Sequence, residues 1–397
     1  MSRLTGPDAA IRRLAVARLI SQGGTQAANI ALIALVFERS NGSGVWIAAA
    51  LLASLGARVV ASPWAGTLGD YFDRRWVMVG SDLAAAGVFV VITETRSLTA
   101  LVVLAALAGA AEAPFGPAAN GLVAMLVPVE RRGWANGTLS IGMSAGGLLG
   151  AALGGLLVAG VGASGAFLVN AVSFAVSAVL SASISGRFVS GARHEREHRG
   201  AWKGVQLLVG QRTLRLSAFS VALVALALGM VNVVQLPFFA DIGAGKVGWG
   251  IALAAFGAGE ICAGRLASRL VDARLERLAL IAGCAVASVA LAVTGATSAF
   301  VLAAVLFAAT GFSNTLIVLG LVLSVQRWAP QELQGRTMAA VEAIVQSAIG
   351  VSLVVGGLLL SPLGAHGVYL LAGGLGCIGV VFALRIPRQP DPIRPDE

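Results

Sequence analysis

Apolar residues in this chain fall in long, nearly unbroken stretches separated by short polar or glycine-rich breaks. A helix needs about 20 mostly apolar residues to cross a bilayer. The pattern supplies twelve such runs, at 14–36, 46–68, 76–94, 97–126, 136–158, 163–186, 215–239, 246–268, 277–296, 299–326, 337–360 and 366–385. The breaks carry turn chemistry, as at Asn41-Gly42-Ser43-Gly44, Gly160 to Gly165 and Gly243 to Gly245. A single connection, Arg187 to Leu214, is long and strongly polar. It divides the chain into an N-terminal six-helix bundle (1–186), a linker (187–214) and a C-terminal six-helix bundle with a short tail (215–397).

The two halves repeat. A shift of 202 residues lays Pro128, Glu130 and Gly133 on Pro330, Glu332 and Gly335. The same shift lays Gly154-Gly155-Leu156-Leu157 on Gly356-Gly357-Leu358-Leu359, then Gly162, Ala163 and Gly165 on Gly364, Ala365 and Gly367. A constant offset through a loop and a helix is hard to obtain by chance. Span five therefore corresponds to span eleven. The prediction is an all-α membrane protein of twelve transmembrane helices in two parallel six-helix repeats, with a midplane site between them.

Composition agrees: 57% of the 397 residues are hydrophobic and 12% are charged, against about 25% charged in soluble domains. The net charge of +9 would fit a nucleic-acid partner until the charges are mapped. Of the 28 Lys and Arg residues, 24 fall on one side of the spans. Arg39, Arg96 and Lys246 fall on the other, and Arg58 lies inside span two. Positive residues mark the cytoplasmic side, so both termini and the linker are predicted there, in a bacterial inner membrane. The bias accounts for the charge without nucleic acid. Cys262, Cys284 and Cys377 lie in apolar runs and are expected as buried free thiols. No cleavable signal is evident at the charged start.

The stretch Arg193-His194-Glu195-Arg196-Glu197-His198-Arg199 reads as a solvated linker. Its histidine pair has metal-ligand spacing but lacks further ligands nearby, so no metal is expected. Ala201 to Gly210 has the pattern of a short helix lying on the membrane surface.

Between spans two and three stands Gly66-Thr67-Leu68-Gly69-Asp70-Tyr71-Phe72-Asp73-Arg74-Arg75. Gly66 and Gly69 permit close helix approach. Asp70 is a fixed negative charge at a helix end, suited to an opposing helix N-terminus. Arg74 and Arg75 can bridge carboxylates or lipid phosphates, or serve only as positive-inside anchors. The loop resembles the signature of the major facilitator superfamily. Ser21-Gln22-Gly23-Gly24, Ala135-Asn136-Gly137 and Gly335-Arg336 resemble its macrolide-efflux and siderophore (enterobactin-type) exporter branch. The resemblance implies the major facilitator fold, with spans one, four, seven and ten lining the cavity. It implies that Asp70 meets the start of span eleven as a gate. Two positions depart from the branch: Thr25 stands where an acid is usual, and Ala151 follows Gly150 where Gly-Pro is usual. Gly142, Gly146, Gly150 and Gly154 recur every fourth residue, a smooth ridge for a neighbouring helix.

Polar residues fall in the implied cavity spans. Arg18, Gln22, Gln26 and Asn29 share one helical face of span one. Span seven carries Asn232 and Gln235, span four Glu112, and span ten Ser313 and Asn314. Each amide taken alone fits an interhelical hydrogen bond; as a set they fit a wet cavity. Ionisable groups in hydrocarbon are expensive and functional by default. Glu112, Arg58 and Glu260 are the coupling candidates, with Pro114 and Pro117 allowing a kink after Glu112. Glu342 is expected to favour a helix N-terminus, and Asp82 to partner loop arginines.

These features predict a transporter without cofactor, with a small-molecule substrate, protons and membrane lipid as its partners, and acting as a monomer. The leading expectation is proton-coupled efflux, an antiporter of drug, macrolide or siderophore class. An importer or lysolipid transporter on the same fold is the alternative. An integral membrane transferase is the distant one: His194, His198 and His366 are scattered over both sides and no phosphate-cradling loop is present.

Overall fold

A computed structural model of the chain describes residues 6–128, 131–189, 198–267, 276–330 and 333–387. Glu130, Glu332 and the linker stretch 193–197 lie outside them, as do the side chains of Gly66, Asp70, Gly133, His198 and Gly335. Among the described residues there are helices and no strands. They run as α1 (Pro7–Arg39), α2 (Gly44–Tyr71), α3 (Arg74–Glu94), α4 (Leu98–Glu112), α5 (Phe115–Leu126), α6 (Arg132–Ala182) and α7 (His198–Gly210). The second half continues with α8 (Arg212–Asp241), α9 (Gly245–Ala267), α10 (Glu276–Ala296), α11 (Phe300–Trp328) and α12 (Gln334–Leu384). Among the described residues, ten helical stretches are long and apolar enough to cross a membrane.

Local chemistry sets the boundaries. Pro7 opens α1, where its missing N–H costs nothing. Asn41 and Gly42 both take positive φ in the turn to α2, as do Gly243 and Gly245 in the turn to α9. Asp73 caps α3 by accepting from the Arg75 amide at 3.0 Å. Its second oxygen accepts from the Phe188 amide at 3.2 Å, tying the end of α6 to the start of α3. The run 97–126 reads as one span in sequence, but the helix breaks between Glu112 and Phe115. Pro114 and Pro117 cannot donate to the preceding turn, and the Ala113 amide turns to Ala110 instead.

α6 and α12 each cover 51 residues and are hairpins rather than rods. Gly154 packs on Ala27 of α1, while Asn170 and Ser173 pack on Gly24. Along a straight helix, positions 154 and 170 would stand about 24 Å apart, yet their α1 partners are neighbours. The chain therefore doubles back, at Gly162 with φ 75°. In α12 Ser352 sits on Gly229 of α8 and Gly379 near Ser220, with the reversal at Gly364, φ 66°.

Backbone contacts cluster the chain into two units, Met1–His194 with Trp249–Ala254, and Glu195–Gly248 with Ala255–Glu397. In the first, Gly142, Gly146, Gly150 and Gly154 run along Ala15, Leu19, Gly23 and Ala27 of α1. Both rows have four-residue spacing, so the two backbones touch along four turns. A Cβ on any of these α6 glycines would strike α1 backbone. In the second unit Leu214, Val221, Leu280, Cys284, Ile317 and Leu321 form one apolar core. Large apolar side chains also cover the outer faces, among them Val60, Val172 and Val301, as a lipid-facing surface requires. Cys262 and Cys377 lie on exposed faces and only Cys284 is buried. That corrects the expectation from sequence: an apolar run marks a span, and lipid-facing positions are as apolar as interior ones.

Candidate functional site

The break after α4 leaves Glu112 as the last residue of that helix. Arg58, midway along α2, donates from Nη2 to Glu112 Oε2 at 2.7 Å. The two side chains are 45% and 14% exposed, so the acid is enclosed and the cation reaches outward. The Ser81 hydroxyl donates to the Ala111 carbonyl at 2.6 Å, binding α3 to the same break. One position on, Asp82 is buried to 2% exposure. It faces Ser177 of α6 and lies within electrostatic reach of Arg18 and Glu112. It does not meet the loop arginines expected from sequence, because α3 carries it more than a turn into the bundle. Arg18 completes the group, its guanidinium 4.3 Å from the centre of the Phe115 ring. Two cations and two carboxylates thus form one balanced cluster inside the first unit. Balance of this kind is what makes buried charge tolerable.

The second unit holds a smaller polar pair. Asn314 of α11 donates from Nδ2 to Glu260 Oε1 of α9 at 2.9 Å. The Thr315 hydroxyl reaches the Glu260 carbonyl at 3.4 Å. Arg58 and Glu112 shifted by 202 residues are Glu260 and Asn314. The same shift carries Gly109, packed on the Ser54 carbonyl, to Gly311, packed on the Phe256 carbonyl. It carries Arg18 and Asp82 to Ser220 and Cys284, which meet at 3.5 Å. The repeat thus extends to the polar bridges, although the residue types differ. A salt bridge on one side is matched by a carboxylate–amide pair on the other.

Other expected cavity residues are half-buried on one face of α1: Gln22, Gln26 and Asn29 alternate with fully buried positions. Asn29 donates to Gln26 at 3.3 Å, and Gln235 donates to Asn232 at 3.2 Å within α8. Each pair satisfies part of its hydrogen bonding one helical turn away. Asn314 is half-buried, whereas Ser313 points into the interior and donates to the Thr310 carbonyl. Glu342 is exposed and accepts from Gln346 at 2.7 Å. Because α12 starts at Gln334, Glu342 lies beyond the first turn, where the helix dipole has faded.

In the loop after α2, Gly69 is buried and its carbonyl accepts from Arg74 Nε at 3.2 Å. The Arg74 guanidinium lies over Gly121 of α5, which has no side chain to displace it. Arg75 donates to the Ile184 carbonyl at 2.8 Å and stacks against Trp76. The contacts described for this pair are with backbone and an aromatic ring. The role of Asp73 as a two-way cap had a signal in sequence, an Asp directly before a helix start. Arg18 was legible as part of a polar face, but not as a member of the charge cluster.

Known proteins share this architecture. The nucleoside transporter NupG superimposes with a TM-score of 0.74 at 12% identity, over 95% of this chain and 98% of that one. A bacterial homolog of the human lysosomal transporter Spinster, inward-facing and occupied, gives 0.71 at 13% identity over 94% and 95%. At such identities the likeness concerns the fold. By sequence, the multidrug efflux pump Tap of Mycobacterium tuberculosis (strain ATCC 25618 / H37Rv) is 28% identical over 94% of this chain and 92% of its own. The multidrug resistance protein MdtG of Proteus mirabilis (strain HI4320) is 35% identical over 127 residues. That match spans about a third of each chain, 32% of this one and 31% of MdtG. The profile of the Major Facilitator Superfamily matches residues 14–312 and again 217–397. The chain belongs to the Major Facilitator Superfamily of membrane transporters.

Proposed function

We propose that the protein is a proton-coupled exporter of small amphipathic compounds, working by alternating access with twelve spans and both termini in the cytoplasm. Dividing α6 and α12 at Gly162 and Gly364 supports the count of twelve. The observation that carries export is the match to an efflux pump along 94% of the chain. Coupling is assigned to Glu112, held by Arg58 at 2.7 Å. A carboxylate paired this way can alternate between two states. Ionised, it is balanced by Arg58; protonated, it frees that partly exposed cation to turn outward. Exchange between them changes the charge of the cluster by one proton per cycle, which a pH gradient can drive. Glu260 is the second coupling candidate, and Gln22, Gln26, Asn29, Asn232, Gln235 and Asn314 are the substrate-cavity candidates. Gly66, Gly69, Asp70, Arg74 and Arg75 form the gating loop, with Asp70 as gate rather than ligand.

Proteoliposomes with an imposed pH gradient provide the test, with an amphipathic fluorescent dye as reporter. Dye movement against its own gradient, in exchange for protons and abolished by a protonophore, is the expected result. In right-side-out and inverted membrane vesicles the net direction should be outward. Inward net movement would replace the export reading with the importer, and dye movement indifferent to the protonophore would remove the coupling.

A further inference from the structure

The first unit contains a cavity of about 300 Å³ walled by α1, α5 and α6. Its cations are Arg18 and Arg132, and Asn120, Asn136 and Ser140 supply neutral polar groups. Among the described residues no carboxylate lines it. The Nε of Arg18 and the Nε of Arg132 are both buried without a hydrogen-bond partner. Arg132 spends one other N–H on the Ala124 carbonyl at 2.9 Å, while Arg18 offers the face of its guanidinium to Phe115. Leaving a buried donor unmet is costly, and more so for a charged group. Both residues line the same cavity, so two guanidinium groups, each with an N–H left unmet, stand side by side in its wall.

We propose that this cavity binds a compact oxyanion, a carboxylate or phosphate group, clamped by Arg18 and Arg132 and oriented by Asn120 and Asn136. Guanidinium groups match the planar fork of a carboxylate and the face of a phosphate, which makes the pairing strong for its size. The volume is at the lower end for small-molecule sites, so it takes a head group or a small solute rather than a whole macrocycle. The oxyanion comes either from a free solute or from the head group of an acidic phospholipid. Arg18 also belongs to the charge cluster, so the bound anion competes there with Asp82 and Glu112 for one cation.

Thermal unfolding of the intact purified protein tests the site, because a ligand of the native state raises the midpoint. In neutral detergent, inorganic phosphate and benzoate are titrated against sodium chloride of equal ionic strength. A saturable rise of several degrees above the chloride control is expected. A parallel arm uses nanodiscs of zwitterionic lipid with and without phosphatidylglycerol. If the source is lipid, phosphatidylglycerol raises the midpoint and abolishes the response to phosphate; if it is a solute, phosphate acts equally in both discs. Arg18→Gln and Arg132→Gln should each remove the rise, while Arg12→Gln, an exposed cation on the same helix, keeps it. Should Arg18→Gln fail to fold, Asn136→Leu, at an exposed wall position, should remove the rise by filling the cavity. No response beyond chloride, or equal responses in the parent and the cavity variants, would overturn the proposal. The measurement involves no transport, so its outcome is separate from that of the export reading.

Discussion

Arg58 and Glu112 meet at 2.7 Å across α2 and α4, and the residues 202 positions on, Glu260 and Asn314, meet at 2.9 Å across α9 and α11. One bridge carries opposite charges, and the other pairs a carboxylate with an amide. Quasi-equivalent positions with unequal chemistry make the two halves electrically distinct. Only the first bridge exchanges a balanced state for a charged one when its acid gains a proton. That asymmetry favours Glu112 over Glu260 as the proposed coupling residue and guides the first two predictions.

Glu112→Gln imitates the protonated acid, and the variant should still bind substrate. Gradient-driven accumulation in proteoliposomes should fall to the level of protein-free vesicles. If the Gln variant transports uphill as well as the parent, Glu112 is not the coupling residue and Glu260→Gln is the next to measure.

Truncating the two ends of the bridge should cost unequal stability. Arg58→Gln leaves an enclosed carboxylate, 14% exposed, without its cation. Glu112→Gln leaves a cation that is 45% exposed and can turn outward. Stability should therefore fall further in Arg58→Gln, by an amount on the order of 1–3 kcal/mol, read as the larger drop in thermal midpoint. Equal drops, or the reverse order, would show that the bridge does not bear on folding in this way.

Asp70→Asn should impair transport while leaving substrate affinity within a few-fold of the parent. A gate residue shifts the balance between conformations rather than contacts to the ligand. Equilibrium binding measured beside transport separates the two, and complete loss of binding in folded protein would move Asp70 into the site.

Along the α1–α6 seam, Gly150→Leu should destabilise the protein by roughly 1–3 kcal/mol, because its side chain would strike the Gly23 backbone. Gly147→Ala, with nothing within 4 Å of an added Cβ, should be neutral or gain up to about 1 kcal/mol of helix propensity. Thermal midpoints in one detergent compare them. A Gly150→Leu midpoint at or above that of Gly147→Ala would contradict the packing.

A phosphatase fused after Glu397 should be inactive in cells, being held in the cytoplasm, whereas robust activity would invert the topology. The basis is the unequal division of Lys and Arg between the two sides of the spans.

Hydropathy, charge bias and the 202-residue repeat were readable in one dimension because the bilayer acts as solvent on every span alike. It demands a length, forbids most charge and sorts cations to one side. The glycine ridge of α6 was legible as well, since four-residue spacing puts one face of a helix in a row. What the ridge touches was not, nor that Asp82 turns inward to Arg18 rather than outward to loop arginines. The exposure of Cys262 and Cys377 was equally hidden, because core and lipid-facing positions are both apolar. The polar bridges make the point most clearly. Glycines and leucines repeat as identical letters, so their offset shows in the sequence. Arg58 and Glu112 repeat as Glu260 and Asn314, sharing no residue type, and only packing of the spans brought each pair within hydrogen-bond distance. Partner choice depends on helix rotation and depth, and these are set by side-chain contacts between segments far apart in the chain.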